Sequence, residues 1–195
     1  IADMWIHESF TNYSENLFID YYYGKKAASD YVIGTRRRIR NDKPIIGPYH
    51  VNAEGSGDMY FKGGNMLHTI RTMIDNDQTW RAILRGLNRT FYHKTVTTKE
   101  IEDYLSEQSG IDLSTVFNQY LRDIRIPEFT YKIENKQLKY RWTKTVKNFS
   151  MPIKVTINGK VQLLKPTSYW QTETVANEHN SLIIDRNYYV TIKQL

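Results

Sequence analysis

This chain of 195 residues contains no cysteine, so its strong metal ligands are limited to His, Asp and Glu, and both disulfides and thiolate sites are excluded. The histidines are His7, His50, His68, His93 and His179. A helix with His at i and i+4 and Glu at i+1 places two metal ligands and a general base on one face, the arrangement of a zinc hydrolase. The His-Glu pair here, His7-Glu8, continues Ser9-Phe10-Thr11, so threonine stands where the second histidine is needed. No complete metal site is legible. His50, His68 and His93 have no partner at ligand spacing and read as surface or satisfied core residues. Gly55-Ser56-Gly57-Asp58 lacks the third glycine and the Lys-Ser/Thr ending of a phosphate-binding loop.

Glu8 and Glu15 lie seven residues apart, about two helical turns, and therefore share a face. Alone, such a pair reads as two solvated carboxylates. Its context is Trp5-Ile6-His7-Glu8-Ser9-Phe10-Thr11-Asn12-Tyr13-Ser14-Glu15. That string resembles the second metal motif of the zinc aminopeptidases of the aminopeptidase N and leukotriene hydrolase family, with His7 in place of the usual Asn and Ser9 in place of the usual Gly. The resemblance implies that Glu8 is the third zinc ligand and that Glu15 supports the site through hydrogen bonds. It also implies an HExxH segment eighteen residues before Glu8, ahead of Ile1. Asp58-Met59-Tyr60-Phe61-Lys62-Gly63-Gly64 is similar to the family's Y-x-K-G segment. There the hydroxyl of Tyr60 is expected to donate a hydrogen bond to the oxyanion formed on the substrate carbonyl. Among 15 tyrosines, the competing reading is an ordinary core residue.

These residues need elements to hold them. Up to about Arg125 the apolar residues recur at three and four positions, and beyond it they alternate. The spacing predicts a helix from about Glu8 to Arg40, interrupted at Gly24 or Gly34, with Phe10, Tyr13, Leu17 and Tyr21 on its inner face. Further helices are expected from Met59 to Ile74, from Asp77 with Trp80, Ile83, Leu84, Leu87 and Phe91 inward, and from a Thr97/Glu100 capping box to Gly110. Asp112 is expected to cap a last helix ending near Arg122. After Pro127, alternation predicts strands around residues 129–133, 138–142, 151–157, 161–163, 181–185 and 188–192. Asn158-Gly159 forms the clearest hairpin turn.

Charge follows the same break. Residues 1–126 carry 16 basic and 16 acidic side chains and residues 127–195 carry 11 and 5, so the whole excess of +6 belongs to the second part. The lysines there, such as Lys132, Lys136, Lys139, Lys144 and Lys147, fit exposed faces and sheet edges. Arg36-Arg37-Arg38-Ile39-Arg40 fits a solvated helix end. Neither pattern favours nucleic acid, and no apolar run approaches the ~20 residues of a membrane-spanning helix.

The fold expected is therefore α+β: residues 1–126 as the helical second half of a thermolysin-like catalytic domain, and residues 127–195 as a small antiparallel β-sandwich. The resemblance implies a zinc metallopeptidase, with one Zn²⁺ in the full-length enzyme, that hydrolyses the N-terminal peptide bond of peptide substrates. The chain, starting at Ile1 without an initiator methionine, is expected to be a piece of that enzyme and inactive alone. The alternative is a non-catalytic peptide- or protein-binding module, or a degenerate relative of the family. Localisation, oligomeric state and side-chain preference stay open.

Overall fold

The computed structural model describes residues 1–175 and 182–195. His179, and Ser181 as the start of a strand, lie outside the described residues. Helices occupy the first part: α1 (Trp5–Thr35), α2 (Phe61–Ile74), α3 (Asp77–Thr90), α4 (Thr98–Ser109) and α5 (Ser114–Arg122). Strands follow: β1 (Glu128–Glu134), β2 (Gln137–Thr143), β3 (Ile153–Ile157), β4 (Lys160–Leu164), β5 (Gln171–Thr174), β6 (Leu182–Ile184) and β7 (Thr191–Gln194). The α+β expectation holds.

The first helix is two arms joined at Gly24, whose φ of 85° and ψ of 168° belong to a region that residues with a Cβ avoid. In a straight helix Glu15 and Tyr31 would be about 24 Å apart. Here the Tyr31 hydroxyl donates to the Glu15 carboxylate, so the chain folds back on itself. Both arms grip α2 and α3. Asn65 on α2 donates to the Val32 carbonyl at 3.2 Å and the Thr35 hydroxyl at 3.0 Å, while Arg71 pairs with Asp20 at 2.5 Å and with Asp77 at 2.9 Å.

Sequence logic succeeds where the signal is local. The capping box at Thr97 forms with both hydrogen bonds, and Gly110 closes α4. Asp112 acts one position earlier than expected: Leu113 occupies the cap, and the Asp112 carboxylate accepts from the Ser114 N–H at 2.9 Å. Tyr21 departs from the expected inner face and is 77% exposed, part of an outward aromatic group with Phe18 and Tyr22.

The strands form two sheets, β5-β2-β1-β7 and β4-β3-β6. In the first, Phe129 faces Trp142, Tyr131 faces Tyr140 and Ile133 faces Leu138 across the β1–β2 register. Such cross-strand pairs, two aromatic and one aliphatic, are the favourable unit of an antiparallel ladder. One pairing departs from the antiparallel expectation, because β7 runs parallel to β1. The strand expected at 188–192 begins later, at Thr191, since Tyr188 and Tyr189 are buried in the connection before it. In β4, Val161 and Leu163 point outward and Leu164 inward.

One apolar cluster runs from Trp5 and Tyr13 through Phe117 and Tyr120 to Phe129, Trp142 and Val155. The segment between β6 and β7 joins the two parts with polar contacts. Tyr189 N–H donates to Thr69 Oγ1 at 3.0 Å, and the Tyr120 hydroxyl donates to the Tyr189 carbonyl at 2.6 Å. Arg36 belongs to this joint: it donates to Asn65 Oδ1 at 2.7 Å and lies 5.2 Å over the Tyr189 ring. The basic run is thus only partly a solvated end, since a distant aromatic draws its first arginine inward.

Candidate active site

The N-terminal arm of α1 is anchored by its first residues. Trp5 is fully buried, and its Nε1–H donates to Thr98 Oγ1 at 2.7 Å. Asp3 accepts from the Thr98 amide and hydroxyl and, at 2.8 Å, from the Tyr49 hydroxyl. These bonds fix the entry of α1 against the start of α4, and with it the turn that carries Glu8.

The second contact is with α2. A Cβ at Gly63 would lie 1.9 Å from Ser9 Oγ and 2.7 Å from Ser9 Cβ, a separation that real side chains do not reach, so only glycine lets the two helices meet here. Ser9 Oγ donates to the Met59 carbonyl at 2.7 Å. Tyr60 then opens α2 with 41% of its surface exposed. Partial burial, followed by the charge of Glu8, a hydrogen bond to Glu8 and the charge of Glu54, pushes the Tyr60 hydroxyl above its ordinary ionisation range. The packing therefore brings together Glu8 and Tyr60, residues 52 positions apart in sequence.

Glu15 lies about 10 Å further along the helix axis. It is exposed and engaged by the Tyr31 hydroxyl of the second arm, whose pKa this bond, more than burial, pushes up to about 12. His7 is exposed on the same turn as Glu8. His68 is a satisfied core residue: Nε2 bonds Asn187 Oδ1 at 2.9 Å, Nδ1 lies 3.4 Å from the Tyr13 hydroxyl, and burial lowers its pKa.

The chain belongs to peptidase family M1. The family profile described as the Peptidase family M1 domain matches residues 2–120, a stretch that contains both Glu8 and Tyr60. Among solved structures, the chain is similar to the Legionella pneumophila aminopeptidase A in complex with aspartic acid. The TM-score is 0.69 at 14% identity, over 98% of this chain and 24% of that one. The chain thus spans about a quarter of that protein, and at this identity the likeness concerns fold. No curated protein matches by sequence.

A zinc ion needs three protein ligands even in an open catalytic site. Among the described residues of this M1 chain, no group of three or more His, Asp or Glu side chains is placed to hold a metal. Glu8 is the one member of the predicted set present, so the described residues fit a share of such a site and not the whole. Also among the described residues, no helix is long and apolar enough to cross a membrane.

Two site-supporting residues escaped sequence reasoning. Lys62 stood inside the quoted motif without a role, yet it is fully buried, donating from Nζ to the Asp123 carbonyl at 2.9 Å. Asp58 is buried too, and its carboxylate accepts the Arg40 and Asn41 amides at 2.9 and 2.6 Å. Together they fix the approach to Tyr60 from both sides. The one available signal was the Gly63-Gly64 pair, which announces a close helix contact.

Proposed function

We infer that this chain is the C-terminal portion of the catalytic domain of a zinc aminopeptidase, residues 1–126, followed by a β-sandwich domain, residues 127–195. In the full-length protein it contributes to hydrolysis of the N-terminal peptide bond of peptide substrates. Glu8 supplies one protein ligand to zinc, and the remaining ligands and the general base come from sequence ahead of Ile1. Zinc, when bound, supplies Lewis acidity and water activation.

The observation that carries this reading is the juxtaposition of the Glu8 carboxylate and the Tyr60 hydroxyl, built by α1 and α2 within the family-matched stretch. The chemistry assigned to Tyr60 follows from its environment. A tyrosine hydroxyl keeps its proton at neutral pH and is available there as a donor. A donor that meets negative charge only as the carbonyl becomes tetrahedral stabilises the transition state and not the ground state. Glu15, tied to Tyr31, steadies the arm that carries Glu8.

Tyr60→Phe in the full-length protein tests the assignment. Loss of one such donor lowers kcat by about 10²–10³ with little change in KM. An unchanged kcat would remove Tyr60 from the chemistry. Glu8→Gln is expected to strip zinc, and full metal occupancy in that variant would overturn the ligand assignment. The rival reading is a family member that has lost hydrolysis and only binds peptides or proteins. Zinc analysis of the full-length protein separates the two.

A further inference from the structure

The Ser9 hydroxyl links the two halves of the candidate site. Ser9 directly follows Glu8 and is fully buried, and its bond at 2.7 Å goes to the carbonyl of Met59, the peptide group that leads into Tyr60. That carbonyl belongs to the last residue of the 3₁₀ turn Gly57–Met59, where the chain passes from a turn into α2. Tyr60 is 41% exposed, so packing around its side chain restrains it less than a core residue. On the other side, the Ser9 side chain lies directly over Gly63, which leaves no room for a Cβ, so the hydroxyl has a defined seat.

We propose that Ser9 is a positioning residue: its hydroxyl holds the Met59–Tyr60 peptide against α1 and so sets the spacing between the Glu8 carboxylate and the Tyr60 hydroxyl. The inference rests on the reading of Tyr60 as the oxyanion donor. Glu8 takes its place from the backbone of α1, and Tyr60 takes its place from a turn of a different element. One buried hydrogen bond between their immediate neighbours transfers the registration from one to the other. A displacement near 1 Å at a reacting group costs up to about 10²-fold in rate. A hydroxyl that merely satisfied a buried carbonyl would affect folding without acting through Tyr60.

A double-mutant cycle separates these cases. Ser9→Ala removes the hydroxyl while keeping a Cβ that the site already accommodates. Ser9→Gly removes it without leaving a methyl group, as a second version. In the full-length protein, Ser9→Ala is expected to lower kcat about tenfold, with KM and zinc content unchanged. In the Tyr60→Phe background the same substitution is expected to change kcat less than about twofold. In the full-length protein, amides of residues 60–64 are expected to exchange about tenfold faster while the global transition persists. An equal factor in both backgrounds, or unaltered kcat and exchange, overturns the role of Ser9. If Tyr60→Phe lowers kcat and Ser9→Ala does not, the Ser9 assignment alone fails. If Tyr60→Phe itself leaves kcat intact, the Tyr60 reading fails and Ser9 loses its role with it.

Discussion

A lysine without solvent exposure is a measurable liability, and Lys62 makes it measurable by pH. Its ammonium donates to the Asp123 carbonyl at 2.9 Å with the charges of Asp58, Asp123 and Asp42 nearby. Burial outweighs those carboxylates and lowers the pKa from 10.5 to about 8. Below pH 8 both folded and unfolded chains hold the proton, and the folded state bears the full cost of the buried charge. Between pH 8 and 10.5 the unfolded chain still binds the proton that the folded chain has released, so stability rises with pH across that window. Between pH 7 and 9.5 the relief amounts to about 2 kcal/mol, or ~4–8 °C in melting temperature for a chain of this size. The assay is thermal unfolding of the wild type and of Lys62→Met at both pH values, because groups common to both proteins cancel in the difference. The gap between them should shift toward the wild type by about 2 kcal/mol as the pH rises. A gap that stays flat to within about 0.5 kcal/mol, or moves toward Lys62→Met, would refute the argument.

Two backbone predictions concern the scaffold. Gly63→Ala forces a methyl into the Ser9 side chain and is expected to cost about 1–3 kcal/mol in urea unfolding. An unchanged midpoint would mean that the α1–α2 contact yields without penalty. Gly24→Ala places a Cβ at a glycine-only conformation, and a loss of about 1–3 kcal/mol is expected. Retained stability would show that the arms do not require the reversal.

What the sequence revealed was what neighbouring residues decide among themselves. Thr97 and Glu100 form their box within one turn, and Asn158-Gly159 adopts positive φ at both positions of its hairpin, so both were legible. The motif around Glu8 and Tyr60 was legible as a string, but its meeting point depends on Ser9 and Gly63, which touch across 54 positions. Tyr21 was misplaced because periodicity detects an apolar stripe without saying what covers it. Arg36 was misplaced because its partner, Tyr189, lies in the β6–β7 connection. β5 went unseen for a different reason: Gln171-Thr172-Glu173-Thr174 is a polar strand at the border of a sheet, where backbone pairing to β2 requires no apolar alternation. Lys62 gave no warning, since a helical lysine ordinarily faces water.

The parallel pairing of β7 with β1 also sets a timetable. β1 gains β2 as soon as a tight turn at Asn135-Lys136 is made, but its other edge waits for Thr191–Gln194, about 60 residues later, a delay of roughly 3–13 s at ribosomal rates of about 5–20 residues per second. During that interval the nascent chain presents an unpaired strand whose alternate residues are Phe129, Tyr131 and Ile133. Such an edge invites pairing with a neighbouring chain. Slower translation between β2 and β7 would lengthen that exposure, and yield in a crowded polysome would fall with it.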